Sequence, residues 1–103
     1  MIRVSVFYPN GPQAKFDMDY YCQRHIPMVQ RLVGAALKGT AVEKGLGGAA
    51  PGAAPSYLAL GHLTFDSLES FQASFGLHSK EIVADVPNYT NTQPIIQISE
   101  IMI

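Results

Sequence analysis

The sequence predicts an α+β fold of order βαββαβ, and three patterns carry that prediction. Four segments, 2–8, 37–44, 57–65 and 95–103, read as strands from alternation or from short apolar runs bounded by turn residues. Two further segments repeat side chains at steps of three and four: Met18, Tyr21, His25, Met28, Leu32, and then Leu68, Phe71, Phe75, His78, Ile82, Asp85. Residues so spaced share one side of a helix, and that side packs inward. The third pattern is the order itself. Two right-handed crossovers on one antiparallel four-stranded sheet place both helices on one face, which is the ferredoxin-like arrangement.

Each element has a local reason. Residues 2–8 alternate, and Pro9-Asn10-Gly11-Pro12 ends the strand. Asp17 is placed to cap the first helix. Pro27 removes a backbone donor and disfavours helix at Ile26, so a kink or break is expected beside His25. Gly34 is the expected stop. Residues 37–44 form a weaker strand. The stretch 45–55 is rich in Gly, Ala and Pro and carries no charge, so it is expected to be a mobile loop inside a single domain spanning 1–103. In the third strand Tyr57, Ala59, Gly61, Leu63 and Phe65 share one face, and Leu58, Leu60, His62 and Thr64 the other. Asp66 with Glu69 resembles a capping box that opens the second helix. Pro87 ends that helix after Val86, and 88–92 is a polar loop. The last strand is apolar at Ile95, Ile96, Ile98, Ile101, Met102 and Ile103. Strands 1, 3 and 4 are therefore apolar on both faces, as a sheet covered on both sides requires. The helices cover one face. A second copy packed about a two-fold axis is the simplest cover for the other.

Composition narrows the function. The chain has 103 residues, 48 % of them hydrophobic, enough for a core without disulfides. A net charge of −1 and an isoelectric point near 6.2 give no electrostatic basis for nucleic-acid or anionic-membrane binding. The lone Cys22 suits a reducing compartment and reads as a buried, inert thiol. The chain opens directly on a strand pattern, with no basic region followed by an apolar run, so no signal peptide and a cytoplasmic location are expected. No metal site is expected, because the three histidines lie at 25, 62 and 78 with no His-x-x-x-His or Cys-x-x-Cys pair. Gly45-Leu46-Gly47-Gly48 lacks the helix and basic residue of a nucleotide loop, and no cofactor is expected.

The candidate site lies on the inward stripes. A polar ring on an apolar face must find a partner or lose on the order of 1–3 kcal/mol. His25 has two readings: general acid/base or substrate contact in a pocket, or a structural ring bonding carbonyls freed by Pro27. His78 reads as a second catalytic candidate or a satisfied core residue. Asp85 sits where the helix dipole disfavours a carboxylate, and reads as a group that orients a histidine or as an Asx cap for the loop at 88–90. His62 is mid-strand and faces either helices or partner. Tyr8, Tyr21, Phe71, Phe75 and Tyr89 are candidates to line a substrate cavity, Tyr8 and Tyr89 above the others because their hydroxyls need partners.

Seven short segments in order resemble the EthD family, named for ethyl tert-butyl ether degradation. They are Tyr8-Pro9-Asn10, Phe16-Asp17-Met18-Asp19-Tyr20-Tyr21, His25-Ile26-Pro27, Val42-Glu43-Lys44-Gly45, Phe65-Asp66-Ser67, Asp85-Val86-Pro87-Asn88-Tyr89-Thr90-Asn91 and Pro94-Ile95-Ile96-Gln97-Ile98. The resemblance implies a dimeric α/β barrel, a homodimer of ferredoxin-like subunits with facing sheets. It also implies a small, apolar or aromatic ligand held between sheet and helices, within a catabolic or secondary-metabolite oxidative pathway. Two roles stay open on this reading. One is a cofactor-independent isomerase, cyclase or oxygenase using acid/base chemistry. The other is a non-catalytic carrier or accessory protein for a P450-type oxidative system.

Overall fold

The computed structural model describes all 103 residues. Strand β1 (Ile2–Pro9) leads to a helical arm made of α1 (Met18–Tyr20), a π turn (Tyr21–His25) and α2 (Ile26–Val33). Strands β2 (Gly39–Lys44) and β3 (Tyr57–Phe65) form a hairpin. A second arm holds α3 (Leu68–Phe75) and α4 (Ser79–Ala84), and β4 (Ile95–Glu100) closes the chain. The sheet order is β2-β3-β1-β4, and every pairing is antiparallel. This is the ferredoxin-like topology expected. No helix is long and apolar enough to cross a membrane.

Both arms cover one sheet face. Val4, Leu63 and Phe65 from the sheet meet Val29, Val33 and Ile82 from the arms in one cluster, with Phe71 and Phe75 packed against it. Tyr8, Ala59, Tyr21, Ile26 and Tyr89 form a second, aromatic cluster. Burying each large apolar side chain contributes about 1.5–3 kcal/mol, so the two clusters supply most of what holds the layers together.

The first arm departs from the expected kink in a specific way. Asp17 caps it, accepting from the Tyr20 amide. The chain then widens into one π turn, in which the Ile26 amide reaches Tyr21 O. A proline ring clashes with the carbonyl four residues back, and a wider turn immediately before Pro27 relieves that clash without breaking the arm. The extra residue turns everything after it by about 100°. Tyr21 and His25 stay inward as expected, but Ile26, Val29 and Val33 are buried beyond them in place of Met28 and Leu32, which are only half-buried. Gly34 then ends the arm at φ 71°, a conformation that favours glycine.

The second arm is not one helix. Gly76 weakens it, and His78, at φ −122° and ψ 4°, leaves helical geometry before α4 begins. Its N-cap is Ser67, whose Oγ accepts from the Ser70 amide, rather than Asp66. Two other expectations change. Strand β4 stops at Glu100, with Ile101 N donating to Met1 O. The 45–55 stretch is the expected loop, joining β2 to β3, and is tied by Gly45 N to Leu58 O and Gly48 N to Ala53 O. Cys22 is exposed, with Sγ 3.7 Å from Met18 Sδ, because it lies one position past the inward Tyr21.

Candidate functional site

A cleft of about 560 Å³ opens between the helical arms and the sheet. Its walls are Val6, Tyr8, Gly61, Leu63 and Ile96 from the sheet, Tyr21, His25, Ile26 and Val29 from the first arm, and Phe75, Ile82, Val83 and Val86 from the second. Residues 89–94 form its rim. The size is that of a small-molecule site.

At one end stands a polar chain, buried at His25, Tyr89 and Tyr8, partly open at Asp85 and Tyr20 and exposed at Asn88. His25 Nδ1 lies 2.8 Å from Asp85 Oδ2, so the ring donates there. Asp85 Oδ1 accepts from the Tyr20 hydroxyl at 2.7 Å and from Asn88 Nδ2 at 2.9 Å. On the other side of the ring, His25 Nε2 faces the Tyr89 hydroxyl at 3.5 Å, and that hydroxyl bonds Tyr8 Oη at 2.7 Å. The imidazole stacks on Tyr21, with centroids 5.3 Å apart and planes within 14°. It also leans on Tyr89 at 4.6 Å.

Each member is placed by its element. The π turn carries Tyr21 and His25 onto the same side. Tyr89 is fixed by a staple between 13–17 and 88–92. Asp17 N donates to Tyr89 O, Lys15 N to Asn91 Oδ1, and Thr90 Oγ1 to Lys15 O, while Phe16 and Thr90 form an isolated bridge. Gly61 clears space: a Cβ there would collide with the Tyr21 hydroxyl.

The electrostatics follow from burial. Burial pushes the His25 pKa below its ordinary 6.5, and Asp85 only partly offsets this, so the ring is neutral at pH 7. Burial opposes ionisation of Asp85 as well. Bonds from Asn88, His25 and Tyr20 outweigh it and hold the carboxyl below its usual range. Burial raises Tyr8, Tyr21 and Tyr89, keeping all three phenols protonated. The hydrogen bond to Asp85, above all, raises Tyr20. A carboxylate therefore fixes the Nδ1–H tautomer and leaves Nε2 as an acceptor, with the Tyr89 hydroxyl 3.5 Å away. A histidine so held can take or return a proton.

Residues 11–93 match the EthD domain, most of the chain. The chain belongs to the EthD family. An EthD-like protein from Ralstonia eutropha JMP134 is similar at 45 % identity, with 99 % of this chain and 92 % of that one covered and a TM-score of 0.94. An EthD family protein from Bacillus halodurans shares the fold at 17 % identity, with 99 % of each chain covered and a TM-score of 0.68. A dimeric ferredoxin-like protein from Thermobifida fusca does so at 16 % identity, covering 97 % and 90 %, with a TM-score of 0.59. No curated protein matches the chain.

Within this EthD chain, the expected residues divide. His25, Asp85, Tyr8, Tyr21 and Tyr89 converge, and Phe75 lines the cleft. His78 does not join them. It sits half-buried at the break between α3 and α4, where the loss of helical geometry takes it off the inward stripe. Phe71 packs on Phe65 and Phe75 in the other cluster and is core. Asp85 takes side-chain donors rather than capping loop amides as an Asx turn would. Sequence reasoning missed Tyr20 and Asn88. Asn88 follows Asp85 by three residues, a spacing that brings side chains together and was the available signal. Tyr20 lies beside the stripe, and only the fold shows its reach.

His62 points to the helix-free face. Its Nδ1 lies 2.9 Å from Ser5 Oγ and its Nε2 3.2 Å from Glu43 Oε1. That face is consequently mixed, with Phe7, Leu60 and Ile95 around a polar strip. No group of three His, Cys, Asp or Glu side chains converges on a metal-like arrangement.

Proposed function

We propose that this EthD protein binds a small apolar or aromatic molecule in the cleft and moves a proton on it, His25 Nε2 serving as the base. The observation that supports this reading is the bond of the partly buried Asp85 to His25, a residue that lines the cleft and whose other nitrogen has only a 3.5 Å contact with the Tyr89 hydroxyl. Asp85 holds the tautomer and stabilises the imidazolium that forms. Tyr89 and Tyr8 supply hydroxyls for the developing charge. Asp85 also depends on Tyr20 and Asn88, which act as positioning residues. The setting we infer is a cytoplasmic, catabolic or secondary-metabolite oxidative pathway. General base catalysis of this kind supplies about 10²–10⁴-fold.

The test uses 5-nitrobenzisoxazole, a neutral aromatic compound whose ring opens when a base removes its carbon-bound proton. Wild-type protein should open it with saturation, and His25→Ala should lose at least tenfold while keeping its circular dichroism spectrum. The rate should rise with pH through a midpoint below 6.5, because burial lowers His25. Equal rates in the two proteins would leave a binding protein of the carrier or accessory kind.

We also infer a homodimer closed through the helix-free sheet face. Support comes from Phe7, Leu60 and Ile95 on that face and from fold relatives described as dimeric. Such an interface should hide roughly 1,200–2,000 Å² or more. Sedimentation at micromolar concentration should give twice the chain mass, and a monomer would refute it.

A further inference from the structure

We propose that the cleft selects an uncharged ring compound carrying a hydrogen-bond donor, a phenol or enol, and rejects carboxylates and phosphates of the same skeleton. The proposal rests on the reading of the cleft as a ligand site and goes beyond it by fixing the ligand's charge and polarity.

Three observations carry it. The first is the lining. No Asp, Glu, Lys or Arg contributes to the cleft wall. An anionic group entering would lose its water without gaining a cation, and burial of an unpaired charge is among the costliest events in a protein.

The second is the charge behind the wall. Asp85 holds three donors, yet no lysine or arginine pairs with it. Asp85 is only partly buried, but His25, the ring it bonds at 2.8 Å, lines the cleft, so the carboxylate lies one side chain behind the wall. Its negative field repels an anion and favours a donor hydrogen pointed toward it.

The third is the direction of the hydrogen bonds. The Nδ1 hydrogen of His25 is committed to Asp85 at 2.8 Å. The other nitrogen of this cleft-lining ring, Nε2, can therefore only accept. At 3.5 Å the Tyr89 hydroxyl satisfies it poorly, since a strong bond is near 2.8 Å. A ligand O–H is the group that completes this acceptor. The remaining surface, Val29, Leu63, Phe75 and Ile82, matches an apolar ring body. The ligand class follows from these together: ring body against the apolar wall, hydroxyl on His25, and no formal charge.

Three matched probes test this by calorimetry on the wild-type protein at pH 7.5: 2-naphthol, 2-methoxynaphthalene and 2-naphthoate. The expected order puts 2-naphthol about tenfold tighter than the ether, the effect of one hydrogen bond. The naphthoate should be weaker than 2-naphthol by more than tenfold. His25→Ala should erase the preference of naphthol over ether while the carboxylate stays excluded. Naphthoate binding as tightly as naphthol would overturn the proposal. So would equal binding of naphthol and ether, or no binding of any probe. The ladder needs no variant to be read, so a poorly folded His25→Ala does not blunt it. Loss of benzisoxazole ring opening with the ladder intact overturns the catalytic reading alone. A flat ladder with ring opening intact overturns the ligand class alone.

Discussion

His25 shows how one residue gets its chemistry from its surroundings. Isolated, its ring would be part-charged near neutrality. Buried against Tyr21 and Tyr89, it is neutral, and Asp85 decides which nitrogen keeps the hydrogen. The geometry depends on a residue with no side chain. Gly61 lies where a Cβ would meet the Tyr21 hydroxyl, and Tyr21 is the plate on which the imidazole stacks. Gly61→Ala should therefore destabilise the protein by about 1–3 kcal/mol, the usual cost of overpacking. It should also lower benzisoxazole turnover through a displaced ring. Denaturant melts and rates measured together check this. Unchanged stability with unchanged rate would show that Tyr21 moves aside freely and does not position His25.

At the scale of elements, the strands were the most legible part. The alternation in 57–65 gave the span and the inward residues Ala59, Gly61, Leu63 and Phe65, but not Tyr57: the register with β1 shifts beside Pro9, and Tyr57 is exposed with its ring 5.2 Å from Phe7 of the helix-free face. Helix phase was less secure. The steps from Tyr21 to His25 to Met28 are equally regular in a straight helix, so the sequence carries no mark of the π turn except Pro27 itself. One extra residue in that turn then exchanged Met28 and Leu32 for Val29 and Val33. The same limit applies to His78. A stripe from Leu68 to Asp85 looks continuous on paper, but Gly76 lets it part, and a joint residue has no fixed face. Asp85 kept its inward position because Ile82, one turn earlier, re-engages the core. The site was thus readable where side chains share one uninterrupted face. It was unreadable where it depends on segments distant in the chain meeting, as with Tyr20 on Asp85 and the 13–17 staple on Tyr89.

At the scale of the molecule, the two faces of the sheet have separate tasks. One is covered by the arms, which pack two core clusters over β1 and β3 and leave a cleft beside them. The other carries Phe7, Leu60 and Ile95 beside the Ser5–His62–Glu43 strip, the face assigned above to a second copy. The cleft exists because the arms diverge from β4, whose Ile96 and Ile98 stay exposed on the helix side. Everything proposed for function reduces to a neutral imidazole at the end of that cleft, hydrogen on Nδ1 and lone pair inward. A ring held neutral by folding has a pKa below that of the unfolded chain. It resists protonation as pH falls under 6.5 and costs stability there, because the unfolded chain takes up the proton first. Nitrogen-15 NMR of the labelled histidine rings, titrated from pH 8 to pH 5, reads this directly. The account predicts that His25 carries hydrogen on Nδ1 at pH 7.5, titrates with a midpoint below 6.5, and shifts at Nε2 when 2-naphthol is added. A hydrogen on Nε2, or a midpoint at or above 6.5, would contradict it.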